Sequence, residues 1–148
     1  MRLSTRSRYG ARMVLDIAIH GTNGPVRIHE IAERLGVSVK YLEKLVRILK
    51  THRYITSKRG PKGGHVLSRP AEDICVGEVV RVLEGESGLT HCSQNSEACP
   101  QIDGCIMHRV WTQASQSMFA KLDSIYFDEL AEQSQEVGSS SVFPCEKV

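Results

Sequence analysis

The sequence predicts a mainly helical protein with a small β-hairpin: a winged helix-turn-helix domain joined to a long dimerisation helix. Three helical hydrophobic patterns occur in the first 51 residues, and a turn containing glycine separates the last two. A strand, turn and strand pattern follows directly and predicts the wing. Residues 1–69 hold fifteen Lys and Arg against four acidic residues, a net charge of +11, whereas residues 70–148 hold four against thirteen, a net charge of −9.

The basic first part of the chain favours a polyanion as its partner. A solvated basic surface is the alternative, but so uneven a division of charge favours double-stranded DNA. No phosphate-binding P-loop, Rossmann fingerprint or nucleophile elbow occurs, so we expect no enzymatic activity. The N-terminal segment lacks the uninterrupted apolar run of a signal peptide, and no run is long enough to span a membrane. We therefore expect a cytoplasmic protein without a membrane partner.

The first two helices lead into the turn of the helix-turn-helix. Residues 6–20 carry apolar side chains at helical spacing, and the GTNGP segment at 21–25 ends this helix. The second helix spans residues 28–35 and is broken by Gly36. Ser38 can cap the third helix, because its hydroxyl can accept a hydrogen bond from a free backbone N–H. We place the winged helix-turn-helix domain at residues 1–69.

The third helix separates an apolar face from a charged face. The apolar positions, which must face the core, are Val39, Leu42, Leu45, Val46 and Leu49. The opposite stripe, which could read the major groove, consists of Lys40, Lys44, Arg47 and Thr51. Glu43 interrupts the positive charge. Its carboxylate could accept a hydrogen bond from a cytosine amino group or form an ion pair with Arg47, and the sequence favours neither interpretation.

The segment YITSKRGPKGGHVLSR at 54–69 predicts the hairpin. Residues 54–56 and 66–67 favour strands, and the glycine-rich segment at 60–64 favours a tight turn. Arg59 and Lys62 lie at the predicted tip, where they could enter a minor groove or bind phosphate. The glycines would let the backbone approach the duplex closely.

The acidic part is divided into a connecting helix at 70–85, a cysteine-rich loop at 86–105, a dimerisation helix at 106–135 and a flexible tail at 136–148. Cys75 in the connecting helix is interpreted as a buried apolar residue, and Cys145 in the tail as a spare thiol. An apolar stripe predicts one continuous helix from residue 106 to about 133. Because one small domain does not need so long a helix, we expect it to cross its copy in a homodimer, with Trp111 packed near the loop.

Four segments together carry a resemblance to a known family: MRLSTRSRYG, VSVKYLEKL, SKRGPKGGH and CIMHRVW. The chain resembles the IscR/NsrR/CymR family of bacterial winged-helix transcription regulators over residues 1–135. The resemblance implies a homodimer that binds a palindromic operator, with a reading helix at 38–50 and a wing at 59–65. The combined DNA-binding candidates are Ser38, Lys40, Tyr41, Glu43, Lys44, Arg47, Arg59, Gly60, Lys62 and His65.

The cysteine-rich loop carries the candidate metal ligands, which are Cys92, Cys99, Cys105 and His108. In a reducing compartment, clustered cysteines indicate metal binding or redox chemistry rather than disulfides. Thiolates suit iron-sulfur clusters, and residues 105 and 108 would share one face of a helix. The resemblance implies that His108 is the fourth ligand of a cluster, of the 2Fe-2S type, with His91 as the next candidate. A 4Fe-4S arrangement is disfavoured, because Arg8 stands where the resemblance implies an acidic ligand.

These features predict a DNA-binding regulator that senses iron, redox state or nitric oxide through its cluster. Three alternatives stay open. A zinc-stabilised DNA-binding protein would use the same ligands, although structural zinc favours shorter cysteine spacings. A thiol-sensing or partner-sensing repressor would need no cofactor. A small electron-transfer protein would bind the cluster but would have no use for the basic domain.

Overall fold

The computed structural model describes residues 3–85, 88–95, 97 and 99–137. The helices are α1 Thr5–His20, α2 Ile28–Leu35, α3 Val39–Thr51, α4 Val76–Glu84, α5 His91–Gln94, α6 Ile106–Asp123 and α7 Phe127–Val137. The strands β1 Ile55–Lys58 and β2 Gly64–Leu67 pair in antiparallel register, which confirms the mainly helical fold with one hairpin. Within the described ranges, no helix is long and apolar enough to cross a membrane. The predicted tail beyond residue 137, with Cys145, lies outside them.

The helix-turn-helix forms as predicted from α2, α3 and the turn between them. Gly36 ends α2 with a φ of +65°, a left-handed conformation that glycine adopts at low cost. The hydroxyl of Ser38 accepts the N–H of Tyr41 at 3.2 Å and caps α3. The end of α3 also uses a left-handed residue, Arg53 with a φ of +59°. The chain there turns back so that the Tyr54 N–H reaches the Leu49 carbonyl at 2.9 Å.

One hydrophobic core joins the basic and the acidic parts of the chain. Met13 and Leu42 share a buried cluster with Ile74, Leu83 and Phe127. Helices α1 and α4 pack closely at Gly10, because a Cβ there would overlap the side chain of Leu83. The segment predicted as a connecting helix therefore supplies core side chains of the winged domain.

The prediction of one continuous helix from 106 to about 133 is wrong. Helix α6 ends at Asp123, and α7 begins at Phe127 and packs against α1. The segment between them pairs with the chain before α4: the Val76 N–H donates to the Ile125 carbonyl at 2.9 Å, and the Phe127 N–H donates to the Ile74 carbonyl at 3.1 Å. Phe127 is 1% exposed. Burial of this ring and the two backbone hydrogen bonds outweigh continuation of the helix.

A buried ion pair fixes α2 against α1. Asp16 on α1 is 0% exposed, and the Arg34 guanidinium at the end of α2 donates to its two carboxylate oxygens at 2.7 Å each. The hydrogen bond to Asp16 raises the pKa of Arg34 above its ordinary value. Because both hydrogen bonds are directional, the pair sets one orientation of the helix-turn-helix on α1.

Removing either partner of this pair should destabilise the fold by different amounts. Arg34→Gln leaves a buried carboxylate without its cation and should cost about 2–4 kcal/mol. Asp16→Asn leaves a guanidinium that can turn to solvent, since Arg34 is 32% exposed, and should cost about 1–2 kcal/mol. Urea denaturation followed by circular dichroism measures both losses. Glu132→Gln on the exposed side of α7 is the matched control, and equal losses for the first two variants would contradict this account.

Candidate nucleic-acid interface and cysteine loop

Helix α3 presents its predicted charged stripe to solvent. Leu42, Leu45, Val46 and Leu49 are buried, as the apolar pattern predicts. The exposed residues of the opposite stripe are Lys40, Lys44, Arg47 and Thr51. Over the residues that are described, the ion pairs within 4.0 Å include none of these three cations, which share the helical surface that a helix-turn-helix turns towards DNA.

Glu43 is exposed beside Arg47, but the two side chains do not form an ion pair. Among the described residues, the ion pairs within 4.0 Å do not include Glu43. Both residues border a shallow groove between α3 and the wing, with Lys50, Ser57 and His65 on its other sides. Of the two interpretations of Glu43, the ion pair is absent from this structure, and the carboxylate is free to accept a hydrogen bond.

The wing exposes the residues that were predicted at its tip. Arg59, Gly60 and Lys62 are all exposed, and Gly60 has a φ of +113° that disfavours any side chain. His65 is half-buried on β2, with its Nδ1 atom 3.1 Å from the Ser57 hydroxyl. Burial, assisted by the charge of Lys50, lowers the pKa of His65. His65 thus lies in the strand just after the turn, and the cations lie in the turn at the tip.

Two predicted DNA-binding residues have structural contacts of their own. The Ser38 hydroxyl is engaged in the cap of α3. The Tyr41 ring packs edge-on against the Tyr9 ring with the centroids 5.9 Å apart, and within the described part of the chain its shielded hydroxyl has no hydrogen-bond partner. Both residues support the start of α3, and a direct contact of either with DNA stays a prediction.

Helix α1 adds basic residues that the sequence did not single out for DNA binding. The guanidinium groups of Arg8 and Arg12 lie 5.1 and 5.6 Å from the centroid of the Tyr9 ring. Tyr9 in turn contacts Tyr41, so these cations lie next to the start of α3. The signal available in the sequence was the i,i+4 spacing of the two arginines around one aromatic residue.

The three cysteines of the loop are free, half-buried thiols. Cys92 lies in α5, with its Sγ atom 3.3 Å from the Thr90 hydroxyl. Cys99 and Cys105 flank a short 3-10 turn at Ile102–Gly104, and Cys105 directly precedes α6. Cys75 is separate from them: it is buried beside Asp123, as the apolar interpretation expects, and burial raises the pKa of its thiol.

The loop packs on the same side of α6 that carries His108. The Leu89 N–H donates to the Ser115 hydroxyl at 2.9 Å, and Ser93 lies beside Thr112 and Ser115 in a polar cavity. Positions 108, 112 and 115 share one helical face. The Nδ1 atom of His108 is shielded from solvent and has no hydrogen-bond partner among the residues that the structure describes. An imidazole nitrogen of this kind can coordinate a metal.

The described residues do not bring a complete ligand set together. Within them, no group of three or more His, Cys, Asp and Glu side chains is arranged to hold a metal ion. Helix α5, with Cys92, is docked near Thr112 and Ser115, which lie one and two turns beyond His108. The donor types suit an iron-sulfur cluster, but Cys92 would have to move towards the start of α6 to join the others.

The outer side of α6 is apolar and exposed. Its residues are Ile106, Met107, Val110 and Trp111, with exposed fractions of 76, 48, 43 and 38%. Ile106 and Val110 lie on the opposite side of the helix from the buried Ser115 and Phe119, whereas Met107 and Trp111 form the edge of the apolar face, two turns and one turn before Ser115. An apolar face of this kind on a monomer marks an interaction surface.

Sequence comparisons relate this chain to a family of transcriptional regulators. Residues 3–133 match the Rrf2 family model, described as an iron-dependent transcriptional regulator. The protein rrf2 of Nitratidesulfovibrio vulgaris is 47% identical over 130 residues, which are 88% of this chain and 87% of that protein. The HTH-type transcriptional regulator IscR of Sodalis glossinidius is 38% identical over 88% of this chain and 78% of its own.

Solved structures agree with the sequence relationship. The T. potens IscR structure superimposes with a TM-score of 0.77 at 33% identity, covering 93% of this chain and 91% of that one. CymR, described as the global cysteine regulator of B. subtilis, gives a TM-score of 0.74 at 28% identity and covers 90% of this chain and 98% of its own. These relatives are transcriptional regulators and not enzymes. The chain belongs to the Rrf2 family of transcriptional regulators, which includes IscR.

Proposed function

We propose that this regulator binds palindromic double-stranded DNA as a homodimer and changes its DNA affinity through an iron-sulfur cluster held by the cysteine loop. The observation that carries the DNA-binding part is the exposure of the α3 cations and the wing-tip cations on a helix-turn-helix with a wing. Lys40, Lys44 and Arg47 would approach the major groove, while Arg59 and Lys62 would reach the flanking phosphates or minor groove.

Glu43 is proposed to supply base preference rather than affinity. A free carboxylate near phosphates is repelled by them, so its presence on the reading face costs binding energy unless it accepts a hydrogen bond. The amino group of cytosine is the donor that a major groove offers to a carboxylate. The absence of an ion pair between Glu43 and Arg47 in this structure supports that role.

The exposed apolar face of α6 is proposed to pair with the same face of a second chain. A two-fold dimer would hold two α3 helices at a fixed separation, matching half-sites one duplex turn apart, about 34 Å. Because the opposite side of α6 carries the cysteine loop, the loop and the dimer interface share one helix. Ordering of the loop on α6 would therefore alter the separation of the reading helices and with it the affinity for DNA.

The proposed ligands of the cluster are Cys92, Cys99, Cys105 and His108, and the 2Fe-2S type is favoured. When bound, such a cluster would supply a centre whose charge and occupancy respond to iron supply, redox state or nitric oxide. Two observations support this set: among the described residues the Nδ1 atom of His108 has no hydrogen-bond partner, and Cys105 directly precedes the helix that carries His108. The likeness to CymR, for which an oxidized form has been solved from Staphylococcus aureus, supports a second candidate, a regulator that uses these thiols without a metal.

DNA binding should weaken steeply with salt, because the basic side chains displace counterions from phosphates. Arg59→Ala should lower affinity on every duplex and reduce the log–log salt slope by about one. Glu43→Ala should relax preference at one base position, by about 1–3 kcal/mol, with little loss on other sequences. Fluorescence anisotropy on matched and mismatched operators measures both effects. Glu132→Ala on the exposed side of α7 is the control, and a uniform loss for Glu43→Ala would refute base reading.

The dimer should dissociate when a charge is placed in the apolar face of α6. Val110→Glu would bury a carboxylate among apolar side chains and should weaken dimerisation at least tenfold. Gln133→Glu on the exposed side of α7 is the matched control. Sedimentation velocity at several concentrations measures the association. A Val110→Glu protein that sediments like the unaltered chain would place the interface elsewhere.

Protein purified without oxygen should contain iron and acid-labile sulfide and absorb visible light. Alanine at Cys92, Cys99 or Cys105 should abolish the colour, and His108→Ala should shift the spectrum and shorten the lifetime of the cluster in air. Cys75→Ala is the control, because that thiol lies beside Asp123 and away from the loop. An unchanged spectrum and lifetime in His108→Ala would remove it from the ligand set. Zinc without colour would favour the zinc alternative, and reversible thiol oxidation without metal would favour the CymR-like one.

A further inference from the structure

The wing is attached to the chain segment that precedes α2. Val26 and His65 form an antiparallel bridge, in which the Val26 N–H donates to the His65 carbonyl at 2.9 Å and the His65 N–H donates to the Val26 carbonyl at 2.8 Å. A Cβ at Gly64 would lie 2.5 Å from the Val26 oxygen, so this approach requires glycine. The end of β2 next to the turn is therefore held by a third extended segment.

Arg27, the next residue, holds the turn of the wing itself. Its guanidinium Nη2 atom donates to the carbonyl of Pro61 at 2.9 Å. Pro61 lies in the tip between Arg59 and Lys62. Within the tip, the Gly63 N–H donates a hydrogen bond to the Gly60 carbonyl, also at 2.9 Å. The Arg27 side chain thus adds a tie between the tip and the start of α2 that the hairpin alone does not provide.

Arg27 itself is oriented from α2. Its backbone N–H donates to the Glu30 carboxylate at 3.3 Å, which fixes the residue at the start of the helix. The side chain then extends across a cleft that Glu30 and Lys62 also line. The Asp16–Arg34 pair holds α2 on α1. The tip of the wing and the reading helix are therefore both positioned relative to α2.

We propose that Arg27 is a positioning residue for DNA binding. It holds the wing tip at an angle that presents Arg59 and Lys62 to the duplex, and it acts through the Pro61 carbonyl rather than by contacting DNA. The inference rests on the proposed DNA-binding function of the wing and names a residue outside the predicted interface. Without Arg27 the tip would sample more orientations in the free protein. DNA binding would then have to order the tip, and this entropy cost would weaken the binding.

The first test is made on the free protein and does not depend on DNA. In full-length Arg27→Ala, hydrogen exchange of the Gly63 amide should accelerate at least threefold, whereas the His65 amide, bonded to Val26, should keep its protection. Arg53→Gly is the matched control: it removes one exposed arginine at the end of α3, away from the tip, and its left-handed φ suits glycine. Unchanged exchange at Gly63 in Arg27→Ala overturns the proposal.

The second test is a double-mutant cycle on a duplex operator. Arg27→Ala should weaken binding about 3- to 10-fold, the range expected for one charge-assisted hydrogen bond, and Arg53→Gly should change it less than twofold. In the Arg59→Ala background the Arg27→Ala effect should shrink to less than twofold, because both changes act through the wing. Full additivity with a salt slope reduced by about one shows a direct phosphate contact and overturns the proposal, as does unchanged affinity.

The same measurements separate this inference from the function on which it rests. Unaltered protein and Arg59→Ala are titrated with DNA first. The DNA-binding role of the wing is refuted if the unaltered protein shows no salt-dependent binding, or if Arg59→Ala binds as tightly as the unaltered protein. Faster exchange at Gly63 would then still show that Arg27 restrains the tip, although it would no longer serve DNA binding. Normal Arg59→Ala behaviour with an inert Arg27→Ala refutes the Arg27 role alone.

Discussion

The contact between Asp16 and Arg34 is the constraint on which the DNA-facing surface depends. Burying the Asp16 carboxylate is unfavourable, and the two hydrogen bonds from Arg34 compensate only in one geometry. That geometry fixes α2 on α1, and the short turn at Gly36 then fixes α3. The segment before α2 forms hydrogen bonds to the wing through Val26 and Arg27. Reading helix and wing are therefore both placed by the orientation of one helix, so a change there would move the whole interface as a unit.

The opposite charges of the two parts of the chain do not correspond to two separable domains. Leu83 and Phe127, from the acidic part, are buried in the same core as the helices of the basic part. A bidentate ion pair between Arg81 on α4 and Asp123 at the end of α6, with N···O distances of 2.6 Å, continues this connection towards the loop. The basic residues thus form one face of a continuous structure, and a structural change at α6 has a packed route to α1.

The sequence was sufficient where the signals are local and insufficient where they are not. Glycine at 36, the cap at Ser38 and the apolar period of α3 act within a few residues, and each was predicted correctly. The end of α6 depends on burial of Phe127 against distant helices, which a helical stripe does not encode. At the candidate site, the exposed charged stripe of α3 could be predicted from the helical spacing of its apolar residues. The docking of the loop near Ser115 and the reach of an arginine to a wing carbonyl required the folded chain.

The apolar outer side of α6 has a consequence for the life of the protein in a cell. A chain without a partner keeps Trp111 and its neighbours in water, and such surface is what chaperones and proteases recognise. Pairing would shield it, so newly made chains at low abundance would be degraded faster than established dimers. Because dimer concentration rises with the square of chain concentration in the dilute range, occupancy of an operator would respond more than proportionally to synthesis. The same helix face would therefore set both the turnover of the regulator and the steepness of its dose response.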